Sequence, residues 1–197
     1  MSRPALIGLT GSIGMGKTTT AGLFAEAGLP VWDADAAVHR LYAPGGAAVP
    51  VIARLRPEAV GPGGVDRQAL KAWIAEDESA LAALEAAVHP LVAADRARFI
   101  ARAQAPAVVL DIPLLFETGA DADMDLTVVV TTDPATQRAR VLARPGMTAD
   151  QFDRILARQM PDAEKRARAD WIVRSDDLET ARADVQSVLA WVEKQYA

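Results

Sequence analysis

Residues 5–20 read ALIGLTGSIGMGKTTT, and the order of residue types within this stretch decides the fold. Ala5 to Leu9 form a short continuous apolar run, the signature of a strand buried in a parallel sheet. A glycine-rich turn stops the run. From Lys17 onward Ala21, Phe24 and Ala25 recur at helical spacing, until Gly28 and Pro30 end the pattern. Between strand and helix, Gly11, Gly16, Lys17 and Thr18 match G-x-x-x-x-G-K-[ST]. The glycines let backbone N–H groups turn inward around phosphate oxygens, and the helix points its positive end at the same anion. Lys17 can reach the β- and γ-phosphates, and the Thr18 hydroxyl can bind magnesium. The stretch therefore implies a nucleoside triphosphate and a magnesium ion. It does not say what receives the phosphate.

Outward from this loop, four more short strands alternate with helical segments. VWDAD reads as a strand ending in two carboxylates, followed by AVVLDIP (Ala107 to Pro113), DLTVVVTT and DWIV (Asp170 to Val173). A helix is expected from Pro134, N-capped by Asp133, and a last one over Leu178 to Tyr196. The pattern predicts an open five-stranded parallel α/β sheet between helical layers. Two stretches exceed ordinary crossovers. Residues of about 36–106 read as a mostly helical insertion punctuated by APGGAAVP and GPGGVD, and residues of about 141–168 as a second helical excursion. The core is then about 1–35, 107–140 and 169–197.

Composition narrows the function. A formal net charge of −5 over 197 residues disfavours a general polyanion binder, and there is no aromatic–basic interleaving, so nucleic acid is not an expected partner. The chain has no cysteine, which excludes disulfides and thiolate zinc sites. No window carries the roughly 18 or more apolar residues of a membrane span, and the apolar stretch at the start is too short for a signal peptide. A cytoplasmic protein is expected. The absence of asparagine removes the Asn-Lys-x-Asp signature of guanine-specific GTPases. A motor or helicase usually needs a longer chain, so a small kinase is the expected class.

Two groups of side chains suit phosphoryl transfer. Asp33 and Asp35 stand at the carboxyl end of the second strand, the edge where ligands of open α/β sheets bind. One carboxylate there can orient or deprotonate an attacking hydroxyl, and the other can support magnesium or the acceptor. The alternative is two aspartates capping the helix AAVHRLY, and the residues alone do not order the roles. Residues 138–168 hold seven arginines and one lysine against four acids, a formal charge of +4. Arginine forks stabilise charge on a transferring phosphoryl group, and a mobile lid fits the segment, with RPGM as its bend. Arg140 and Arg144 lie four apart, so both are expected on one helix face. His89, before a proline, reads as a helix end, and Asp111 either supports magnesium or pairs within the core.

These pieces together resemble the dephospho-CoA kinase family. GLTGSIGMGKTT, VWDAD, GGVDRQAL, LEAAVHPLV, DIPLLFETG, VVVTTDPATQRARVLAR and AEKRARADWIV follow in the family's order from about residue 7 to 173. The resemblance implies a P-loop kinase core, a helical CoA-domain insertion and an arginine-rich lid. It implies transfer of the γ-phosphate of ATP to the ribose 3′-hydroxyl of dephospho-CoA, with Mg2+, giving CoA and ADP. ATP would lie on Gly11, Ser12, Ile13, Gly14, Met15, Gly16, Lys17, Thr18 and Thr19, with Arg144. Asp35 would be the catalytic base, with Asp33, Lys17 and Arg140 in the catalytic set. Thr10, Asp33, His89, Pro113, Leu114, Leu115 and Glu117 would shape the acceptor site, and Thr18 would hold the metal. Small-molecule substrates and a monomer or small homo-oligomer are implied. Departures fall at Ser12, where glycine is common; at His39, where arginine is common; and at RSDD (Arg174 to Asp177), where an asparagine-glycine turn is common. Base contact there would use backbone groups or Arg174.

Overall fold

The computed structural model describes residues 3–196. The chain separates into two compact units, one formed by the chain up to Trp32 and from Ala103 onward, the other by Asp33–Arg102.

The first unit is built on a five-stranded parallel sheet. Its strands are β1 (Ala5–Thr10), β2 (Val31–Asp33), β5 (Ala107–Asp111), β6 (Leu126–Thr131) and β7 (Trp171–Arg174), in the order β2-β5-β1-β6-β7. β1 is central: Ala5 to Leu9 align with Ala107 to Asp111 on one side, and Ile7 to Thr10 with Leu126 to Val129 on the other. A strand flanked on both edges and covered on both faces has no solvent side, so ALIGL carries no polar alternation. Ile7, Leu9, Val109, Val128 and Val130 bury one sheet face against Ala21 and Phe24 of α1 (Lys17–Glu26). Ala181, Val185, Val188 and Val192 of α9 (Leu178–Tyr196) join them, at the 3–4 residue spacing that makes one helix stripe. The opposite face buries Val108, Leu110 and Val129, with Leu115 and Phe116 also buried from the segment after β5.

α6 (Pro134–Leu142) starts as expected: the Asp133 carboxylate accepts from the Ala135 and Thr136 N–H groups, and proline takes the first position. It stops at Leu142, before Pro145 and Gly146, so Arg144 lies beyond the helix and is exposed. The expectation that Arg140 and Arg144 share one helix face is therefore corrected. The arginine-rich excursion folds as α7 (Ala149–Leu156), opened by a Thr148–Gln151 capping box, and α8 (Asp162–Arg168).

The second unit holds α2 (Ala34–Tyr42), α3 (Val49–Leu55), a short hairpin of β3 (Val60–Gly61) and β4 (Gly64–Val65), α4 (Arg67–Glu76) and α5 (Ala80–Arg102). Its core is Leu41, Ile52, Leu70, Trp73, Leu84 and Val88. α5 runs through Pro90 without a break, which corrects the reading of His89-Pro90 as a helix end. An internal proline costs about 3 kcal/mol. Here it sits on the exposed face, while Leu84 and Val88 bury the other face and hold the helix together. Among the described residues no helix is long and apolar enough to cross a membrane.

Candidate active site

The loop after β1 has the shape its glycines permit. Gly14 and Gly16 take φ of 80° and 86°, backbone that L side chains rarely adopt. Space forbids a side chain as well: a Cβ on Gly14 would lie 2.4 Å from Val141 Cγ2, and one on Gly16 2.7 Å from Ser175 Oγ. The loop is thus pressed against α6 on one side and against the turn after β7 on the other. Gly16 caps α1, whose first residues, Lys17 to Thr19, present the positive end of the helix. Thr18 and Thr19 are exposed there, while Thr20 turns inward and donates to Gly16 O at 3.3 Å.

Lys17 does not wait in solvent. Its ammonium pairs with the Asp111 carboxylate at the end of β5, which is 3% exposed. The pairing within the core that the sequence allowed for Asp111 is realised, and the partner is the loop lysine itself. Thr10 is fully buried and donates from Oγ1 to Pro113 O at 3.1 Å, tying the end of β1 to the PLLFE segment. Within that segment Leu115 and Phe116 are core, and Leu114 is 40% exposed. Glu117 turns inward: Oε1 accepts from the Met160 N–H at 2.8 Å and lies 2.8 Å from Lys165 Nζ. Through Oε1 the carboxylate braces the PLLFE segment from inside. Burial pushes the Glu117 carboxyl up, but Lys165 and the Met160 N–H hold it below the usual range.

Arg140 is fixed on the outer wall of the loop. Nη2 donates to Ser175 O at 2.6 Å and Nη1 to Ser175 Oγ at 3.0 Å, and the Ser175 hydroxyl donates to Met15 O at 2.7 Å. α6 and Ser175 hold Arg140 in place. Its Nη1 is 3.6 Å from where a Gly16 Cβ would be, so a permanent cation stands beside the loop. Arg174, weighed for base contact, pairs with Asp184 of α9 through Nε at 3.0 Å and Nη2 at 2.8 Å. Ser12 is buried, and its hydroxyl oxygen has no partner among the described residues. A groove of about 490 Å3 under residues 145–158 is lined by Arg154, Arg158, Met147 and Ile155.

In the second unit the two aspartates differ. Asp33 caps α2: its Oδ1 accepts from the Ala36 N–H at 2.8 Å. Asp35 lies in the first helical turn and is exposed, so the strand ends one carboxylate earlier than expected. His89 is exposed on α5, and His39 Nε2 accepts from Arg67 Nη1 at 3.2 Å. Arg40 pairs with Asp95 at 2.7 Å.

Sequence reasoning missed Ser175 and Gln159. Ser175 was visible only as part of a departure from a pattern, and Gln159 only as one residue in an arginine-rich stretch. Gln137, within VVVTTDPATQRARVLAR, was given no task of its own; it is 4% exposed and donates to Ile13 O.

No group of three or more His, Cys, Asp or Glu side chains suited to a metal stands among the described residues. Magnesium that arrives with a triphosphate draws most ligands from phosphate and water and needs one or two protein oxygens. The exposed Thr18 hydroxyl at the loop mouth fits that need.

Comparison with known proteins agrees with this geometry. A family model described as dephospho-CoA kinase matches residues 5–180. The chain is 62% identical over 190 residues to a dephospho-CoA kinase of Cereibacter sphaeroides, covering 96% of each. It superposes on the crystal structure of TT1252 from Thermus thermophilus with a TM-score of 0.84 and 36% identity, covering 100% of both chains. Dephospho-CoA kinase from Campylobacter jejuni, at 18% identity and a TM-score of 0.67 over 97% of this chain and 98% of that one, shares the fold.

Proposed function

The chain belongs to the dephospho-CoA kinase family, and on that premise we propose how its own residues carry the reaction. The activity is ATP-dependent phosphorylation of dephospho-CoA in coenzyme A synthesis. The acceptor atom is the ribose 3′-hydroxyl, and the protein works in the cytoplasm.

Gly11 to Thr19 hold the β- and γ-phosphates through their inward-turned backbone N–H groups and the N-terminus of α1, the Ile13 N–H being given to Gln159 instead. Lys17 exchanges part of its pairing with Asp111 for phosphate oxygens, so Asp111 keeps the ammonium at the loop before nucleotide arrives. Thr18 would provide the protein oxygen for Mg2+, which would supply positive charge against the triphosphate. Arg140 supplies fixed positive charge beside Gly16, and Arg144 meets the outer part of the triphosphate.

Asp35 is the general base and Asp33 its support. The observation behind this division is the cap: Asp33 spends an oxygen on the Ala36 N–H. Among the described residues the Asp35 carboxylate has no hydrogen-bond or ion-pair partner. A carboxylate without a structural duty can accept the hydroxyl proton as the oxygen attacks phosphorus. His89 and Pro113 to Leu115 contribute to the acceptor surface. A coupled assay of ADP release tests the reading across dephospho-CoA, adenosine, AMP, CMP and shikimate. Turnover is expected with dephospho-CoA, and a preference for any of the other four would overturn it.

A further inference from the structure

Ile13, near the tip of the phosphate loop, is gripped through both of its backbone polar groups by glutamine side chains from two separate elements. Its carbonyl accepts from Gln137 Nε2 at 2.8 Å, and its N–H donates to Gln159 Oε1 at 3.0 Å. The backbone fixes both amide orientations, because a carbonyl only accepts and an N–H only donates. Gln137 belongs to α6 and is buried. Gln159 lies between α7 and α8, on the return leg of the arginine-rich segment. The next residue, Met160, donates its N–H to Glu117, whose carboxylate also meets the buried Lys165. One dipeptide therefore ties the phosphate loop on one side and the PLLFE segment on the other.

We propose that Gln159 is a positioning residue for the nucleotide: by accepting the Ile13 N–H it docks the arginine-rich segment on the phosphate loop and holds the loop tip ready for the triphosphate. This rests on residues 11–19 being the ATP site. A loop with glycines at positions 11, 14 and 16 is entropically costly to order, and a ligand binds more tightly when that ordering precedes it. The N–H groups that grip phosphate point inward, so outward-facing groups need partners of their own. Ile13 has two such groups. Gln137 anchors one to a core helix, and Gln159 anchors the other to the segment that carries Arg154 and Arg158. Without the Gln159 acceptor the Ile13 N–H turns to water, and loop and segment lose their direct link.

The test compares Gln159→Met, which keeps the length and removes the acceptor, with Gln159→Glu, which keeps an acceptor. ATP affinity is measured by calorimetry on the full chain without acceptor substrate, and kcat and KM are measured for both substrates. Gln159→Met is expected to raise the Kd and KM for ATP about 3- to 10-fold, the worth of one neutral hydrogen bond. The kcat at saturating ATP and the KM for dephospho-CoA stay near wild type. Gln159→Glu recovers ATP affinity at high salt, where its added charge is screened. Unchanged or tighter ATP binding in Gln159→Met would overturn the proposal. So would equal weakening by both variants at high salt, or a fall in kcat at saturating ATP with unchanged Kd. Wild-type protein that binds ATP without phosphorylating dephospho-CoA would instead overturn the proposed function, leaving the binding comparison valid.

Discussion

The ammonium of Lys165, on α8, is fully buried and lies 2.8 Å from Glu117 Oε1, at the end of the PLLFE segment. Removing one member of a buried pair strands the other charge, which is worse than removing both. Lys165→Met is expected to lower unfolding free energy by about 3 kcal/mol or more. The double variant Glu117→Gln/Lys165→Met should recover most of that loss. Urea denaturation of the four proteins in the cycle checks both. A double variant as unstable as the single one would remove the pair as the cause.

The same carboxylate makes stability depend on acidity. Glu117 titrates below the ordinary 4.5, since Lys165 and the Met160 N–H outweigh the upward push of burial. A depressed folded value means the stabilisation is complete above the unfolded value and disappears as pH falls through the folded one. Asp125 behaves alike below its ordinary 3.8, held down by the Arg3 guanidinium and the Leu6 N–H against a smaller effect of burial. Urea midpoints between about pH 3 and pH 6 should fall on the acid side. The Glu117→Gln/Lys165→Met variant should lose part of that slope, and Asp125→Asn a separate part.

Asp35, the proposed base, should separate binding from chemistry. Asp35→Asn keeps the shape of the first turn of α2 and removes the basic oxygen. The expected result is ATP affinity near wild type with kcat reduced about 10²- to 10⁴-fold, the usual range for a general base. Single-turnover measurements with saturating dephospho-CoA check it, and an unchanged kcat would exclude Asp35 as the base.

Gly14 carries both a positive φ and a contact that no side chain can share. Gly14→Ala meets Val141 Cγ2 at 2.4 Å, so the loop must lift from α6. Strained backbone of this kind costs on the order of 1–3 kcal/mol, and the loss should appear in ATP binding as well as in thermal stability. Gly22→Ala, in the exposed part of α1 with nothing near its Cβ, is the control and should be neutral or stabilising. Calorimetric binding and melting of both proteins make the comparison.

Much of the fold was legible because its signals are local. The apolar run of Ala5 to Leu9, the Asp133-Pro134 cap and the Val185–Val188–Val192 stripe each declare an element within a few residues. The misreadings had two causes: at Pro90 tertiary packing overruled a local signal, and at Arg144 and Asp35 one local signal outweighed another. Pro90 did not stop α5, because Leu84 and Val88 bury the face opposite it. Arg144 left the helix of Arg140, because Pro145 and Gly146 act one turn too early. Asp35 looked like a strand residue, but the Asp33 cap had already begun α2.

By itself the sequence carried the signal for a triphosphate after the first strand, since G-x-x-x-x-G-K-[ST] is a property of adjacent residues. The order of VWDAD, DIPLLFETG and VVVTTDPATQRARVLAR along the chain was also enough to point to the family. Only the tertiary structure decided what each polar side chain is spent on. Asp111 answers Lys17, Glu117 answers Lys165, and Gln137 and Gln159 close on Ile13, each across more than 40 residues of chain. The physical reason is that a buried polar group must find a partner wherever packing brings one. No local pattern records which distant residue that will be.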